Sequence, residues 1–67
     1  MKISINGNVR QLDSENMTIS ALVVTLNLTG QRLAIEKNGE IVPRSQFADV
    51  NLQDGDILEI VGAVGGG

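Results

Sequence analysis

Apolar and polar positions alternate from the start of the chain, with Met1, Ile3 and Ile5 set against Lys2 and Ser4. This period of two marks a strand with one buried face, so Ile3 and Ile5 are expected in the core. Asn6-Gly7-Asn8 follows. Asn and Gly tolerate positive φ, which suits a tight hairpin turn returning the chain through Val9, Arg10, Gln11 and Leu12. From Thr18 the period lengthens: Ile19, Leu22, Val23 and Leu26 fall at i, i+3, i+4 and i+7, one stripe of a helix. Thr18 is placed to cap it, its hydroxyl accepting from a free amide in the first turn. Val23, Val24 and Thr25 are β-branched and lower helix propensity, so packing on a sheet has to hold this segment helical. The helix is expected to fail over residues 27–30, with Gly30 as its left-handed cap.

Alternation resumes at residues 33–37, Asn38-Gly39 is the strongest two-residue hairpin signal, and Glu40-Ile41-Val42 is a short return strand. Pro43 ends regular pairing because it has no N–H for a ladder. Residues 44–49 read as a connecting turn, with Phe47 plugging the edge of the core. Gln53-Asp54-Gly55-Asp56 reads as another turn, and residues 57–61 as the last strand. Hairpin, helix, hairpin and final strand make an α+β layer architecture, with a mixed sheet packed on one main helix. If the last strand lies beside the first, the sheet grips the helix in the β-grasp plan; periodicity alone leaves the strand order open. The expected division is a folded domain at residues 1–61 and a flexible glycine-rich tail at residues 62–67.

The chain has 67 residues, enough for one domain and one small core but not for a deep catalytic pocket. It contains no His, Cys, Trp or Tyr. Imidazole bases, thiol nucleophiles, thiolate metal ligands and Ser-His triads are therefore excluded. Five Lys and Arg against eight Asp and Glu give a net charge of -3, the wrong sign for neutralising phosphates, so neither nucleic acid nor an anionic membrane is an expected partner. Met1-Lys2 leads straight into an alternating segment, with no apolar run suggesting a signal peptide or a membrane span. The expectation is a soluble cytoplasmic protein, monomeric when free.

Three groups of residues could carry chemistry. Asp49, Asn51, Gln53, Asp54 and Asp56 resemble a calcium loop only superficially, since Asp54 stands where the sharp turn needs Gly and Ile60 where a bidentate Glu belongs. A polar turn with Gly55 at positive φ accounts for them. Glu36 with Glu40, or Glu59 with Asp56, are the possible carboxylate pairs. As turn and strand-face acids they are expected in water, without the desolvation that separates two pKa values, so no acid–base catalysis is expected. The third group is the tail, where four of the last six residues are glycine and none can hydrogen-bond through a side chain. A frayed terminus is one account of it. The alternative is that a tail without side chains enters a narrow channel and presents the α-carboxylate of Gly67, six extended residues reaching at most about 20 Å.

The run Asn38-Gly39-Glu40-Ile41-Val42-Pro43-Arg44-Ser45-Gln46-Phe47, Asp54-Gly55-Asp56 before the last strand and the terminal Gly65-Gly66-Gly67 resemble the ThiS family, the ubiquitin-like sulfur carriers of bacterial thiamine biosynthesis. The resemblance covers the whole chain. A terminal Gly-Gly alone is shared with ubiquitin and with the small subunit of molybdopterin synthase. Two positions depart from the family pattern: Gly62, where relatives often carry a larger residue, and Phe47, where Trp or Tyr is common. The resemblance implies that Gly67 is adenylated by a ThiF-like adenylyltransferase that binds the ATP, becomes a thiocarboxylate, and donates sulfur to thiazole synthase, with Gly65 and Gly66 as the extended lead-in. It implies a carrier rather than an enzyme, with no cofactor of its own. A molybdopterin-synthase small subunit and a plain protein-binding β-grasp module with an inert tail are the alternatives.

Alternation in the last strand separates Ile57, Glu59 and Val61 from Leu58 and Ile60. Glu59 belongs in water, so Leu58 and Ile60 are expected to face the helix and Ile57 and Val61 the open sheet face. With Val64 in the tail, these residues form the expected partner-docking surface, where the acids select a basic complement.

Overall fold

The computed structural model describes residues 1–62. Strands β1 (Lys2–Ile5), β2 (Asn8–Gln11), β3 (Leu33–Lys37), β4 (Glu40–Val42) and β5 (Ile57–Gly62) form one sheet in the order β2-β1-β5-β3-β4. β1 and β5 are parallel and the other pairs antiparallel. The first and last strands therefore pair, as the β-grasp plan requires, and the sheet is mixed. β5 runs through Gly62, which pairs with Leu33, one residue beyond the boundary expected from the alternation.

Helix α1 (Ile19–Thr25) covers one face. Ile19 and Leu22 from its stripe are fully buried and join a core cluster with Ile3 and Ile5 of β1, Ile35 of β3, Val42 of β4, and Leu58 and Ile60 of β5. Phe47, next to a short 3-10 helix (Arg44–Gln46), is buried in the same cluster and fills its edge as expected. At about 25 cal/mol per Å2 of apolar area removed from water, this core is the main stabilising term in so small a domain.

Both ends of α1 are capped. The Thr18 hydroxyl accepts from the Ala21 amide at 3.1 Å, while the Ile19 and Ser20 amides donate to the Val50 and Phe47 carbonyls. These bonds satisfy orphan donors of the first turn and tie the helix to the loop below it. At the other end the left-handed residue is Asn27, with φ 60°, rather than Gly30. The Leu28 amide reaches back to the Val23 carbonyl and the Asn27 amide to the Val24 carbonyl, a Schellman closure in which Asn tolerates the conformation usually left to Gly. Gly30 is also at positive φ, but in the loop that follows.

Candidate functional site

β5 lies between β1 and β3 and carries the expected docking residues. Its alternation falls as the sequence indicates: Leu58 and Ile60 are buried, Ile57 and Val61 are 56% and 60% exposed, and Glu59 is exposed between them. Directly opposed residues of neighbouring strands share a face, so the register extends this surface across the sheet. Val61 opposes Ala34, Glu59 opposes Glu36, and Glu36 opposes Ile41 on β4. On the other side Ile57 opposes Ser4, which opposes Val9 of β2. Ile41 and Val9 are the most exposed large apolar side chains among the described residues. Alternation within Glu40-Ile41-Val42 could have shown this for Ile41, since Val42 has to face the core.

The carboxylates are arranged differently from either pair expected. Glu36 and Glu40 lie on opposite sheet faces, because Glu36 pairs with Ile41 and Glu40 with Lys37. Glu59 and Asp56 are also separated by the pleat. The acids directly opposed across neighbouring strands are Glu36 and Glu59. Asp56 is not solvated, as turn acids were expected to be, but 6% exposed. Its carboxylate accepts from the Asn38 side-chain amide at 3.0 Å and the Gln53 backbone amide at 2.8 Å, with Lys37 Nζ 4.0 Å away. These bonds compensate its burial, and the role they indicate is structural. Gly55 takes φ 90°, as the polar-turn reading required. Among the described residues no group of three or more carboxylates could hold a metal ion.

Two asparagines that the hairpin signals marked only as turn formers also hold the strand. Asn6 and Asn38 both sit at positive φ in front of a glycine. The Asn6 side chain accepts from the Ile60 amide at 2.8 Å and donates to the Ile60 carbonyl at 3.0 Å. The Asn38 side-chain oxygen accepts from the Ile57 amide at 2.9 Å, and the Asn38 backbone N–H donates to the Ile57 carbonyl at 2.7 Å. Each turn thus adds asparagine side-chain bonds to its hairpin's backbone ladder with β5.

A cleft of about 450 Å3 lies at the Gly62 end of the sheet, lined in part by Asn6, Arg10, Leu28 and Gly62. Among the described residues its lining includes one cation and no carboxylate, and so no acid–base pair. Gly62 has no positive φ, and a Cβ there would meet nothing within 4 Å; the fold does not require glycine at this departure from the family pattern. Val64, Gly65, Gly66 and Gly67, and the expected flexibility of the tail, lie outside the described residues. No helix among the described residues is long and apolar enough to cross a membrane.

The ThiS family model matches residues 3–67. The chain is 48% identical over its full length to a thiazole synthase from Paramagnetospirillum magneticum, and 33% identical to one from Magnetococcus marinus. It spans only about a fifth of the length of each of those proteins. With the sulfur carrier protein ThiS of Bacillus subtilis it shares 32% identity over 97% of this chain and 98% of that protein. The crystal structure of a thiamine biosynthesis protein, ThiS, from Geobacter metallireducens superposes with a TM-score of 0.87 at 29% identity, each chain covered completely. The sheet order, the covering helix and a family match running to the last glycine agree: the chain belongs to the ThiS family.

Proposed function

We propose that this chain is a sulfur carrier for thiazole formation, with Gly67 as its attachment point. The observation that carries the proposal is the family match extending through Gly65-Gly66-Gly67, two residues beyond a strand whose outer face is exposed and partly apolar. That match favours the thiamine carriers over the molybdopterin-synthase subunit. Full-length similarity to part of two thiazole synthases supports thiazole synthase as the acceptor.

The chemistry dictates the order of events. A carboxylate is resonance-stabilised and a poor electrophile. The Gly67 carboxylate oxygen attacks the α-phosphorus of ATP held by a ThiF-like adenylyltransferase, and pyrophosphate leaves. A hydrosulfide-level nucleophile then adds at the acyl carbon and AMP departs with its electron pair, leaving the thiocarboxylate. The chain supplies neither a GxxxxGK[ST] phosphate loop nor an imidazole base, so this reading assigns nucleotide binding and catalysis to the partner. Its own contributions are the glycine arm, narrow enough for a channel that any Cβ would obstruct, and the sheet face around Ile57, Glu59 and Val61 that docks.

Incubation with ATP, a sulfur source and the adenylyltransferase, followed by intact mass, tests the proposal. Exchange of one oxygen for sulfur at Gly67 is the expected result. Gly67→Val, or one residue added after Gly67, should abolish adenylation and leave the fold unchanged. An unmodified wild-type chain, or normal adenylation of either variant, refutes the proposal.

A further inference from the structure

The open sheet face holds an unfavourable arrangement. Glu36 and Glu59 are directly opposed across β3 and β5, both exposed. Like charges in that position destabilise a sheet. The single ion pair among the described residues, Lys37 with Asp56, is elsewhere. Exposed apolar groups adjoin the acids: Val61 and Ile57 are the alternate neighbours of Glu59 on β5, Ala34 is that of Glu36 on β3, and Ile41 opposes Glu36. Two carboxylates within an apolar border attract a cation more strongly once a partner covers the border and excludes water.

Resting on the carrier reading above, we propose that Glu36 and Glu59 together receive one arginine side chain of the ATP-using enzyme that takes the tail. Cβ atoms of opposed residues stand about 4.5–5.5 Å apart, so two carboxylates can approach different edges of one planar guanidinium. Arginine presents five donors in a rigid fork and is weakly hydrated, which suits it to an apolar-bordered site. Lysine offers a compact, strongly hydrated charge that fits this border less well. Calcium, which takes six to eight oxygen ligands, is poorly served by two side chains on a flat face. A second copy of this chain docked by a two-fold axis through the pair would set acid against acid.

Resolving the repulsion on docking gives stability and binding opposite responses. Glu36→Gln, Glu59→Gln and the double variant are compared with wild type by thermal unfolding and by titration against the adenylyltransferase at two or more salt concentrations. The double variant should melt about 1–8 °C higher yet bind about tenfold or more weakly, with a shallower salt dependence. Glu59→Lys, which can pair with Glu36 within the sheet, should also be more stable and bind more weakly still. A double variant that binds within twofold of wild type overturns the proposal. If that occurs while the wild-type chain still acquires sulfur by mass, the carrier reading stands and only the role of the acid pair falls. If the wild-type chain neither binds the enzyme nor acquires sulfur, both fall.

Discussion

Replacing Asp56 by Ala should be among the most damaging single changes to the fold outside the apolar core. The carboxylate is buried and accepts from Asn38 at 3.0 Å and from Gln53 at 2.8 Å. Hydrogen bonds to a charged group contribute about 1.5–3 kcal/mol each. Asn38 and Gln53 are themselves exposed, so water can recover part of what their donors lose. A net cost of about 2–4 kcal/mol follows. At about 0.05–0.15 kcal/mol per residue, a domain of this size has roughly 3–10 kcal/mol in total. At about 4–8 °C per kcal/mol, the melting temperature should fall by about 8–32 °C. Urea and thermal unfolding followed by circular dichroism measure this, with the exposed Asp49→Ala as a control expected within about 0.5 kcal/mol of wild type. Asp56→Asn, which keeps one acceptor oxygen, should fall between the two. An Asp56→Ala protein that unfolds with Asp49→Ala would show that the buried network contributes nothing.

Removing the Asn6 clamp should loosen β5 near its end. Asn6→Gly keeps the positive φ and deletes both bonds to Ile60; its signature is faster amide exchange at Ile60, and unchanged protection there would refute the clamp. Asn6→Ala adds the cost of a left-handed alanine, about 1–2 kcal/mol, and should be less stable than Asn6→Gly in urea. Ile57→Asp and Val61→Asp, both on exposed positions, should change stability by no more than about 0.5 kcal/mol and weaken binding to the adenylyltransferase; unfolding by either would remove the docking assignment.

Elements defined by periodicity and turn chemistry were legible because burial imposes them. Ile3, Ile5, Leu58 and Ile60 must share a face, and Asn-Gly accommodates the positive φ of a two-residue hairpin. The position of Asn27 was less legible because Asn and Gly compete for the left-handed cap, and the choice depends on which carbonyls the chain can reach as it leaves the helix. Asp56 was misjudged for a related reason. A carboxylate's burial is set by the donors around it, and Asn38 lies 18 positions away in the sequence. The Glu36–Glu59 opposition was likewise hidden, since it depends on β3 pairing with β5, which local patterns do not specify.

The placement of β5 connects these features. It is the middle strand, flanked by β1 and β3 and held by Asn6 at Ile60 and Asn38 at Ile57. Detaching it would break bonds on both sides, so local opening there should require much of the global unfolding free energy. The same strand displays Ile57, Glu59 and Val61 on its open face, with Ile57 and Val61 about 13 Å apart at 3.3 Å per residue. A partner that grips this face therefore fixes the point from which residues 63–67 depart. Five residues reach at most about 18 Å, so a small error in the direction of departure would carry the terminal carboxylate several ångströms from its target. On the carrier reading, securing the root of the arm in the centre of the sheet lets a glycine arm remain narrow without losing its aim.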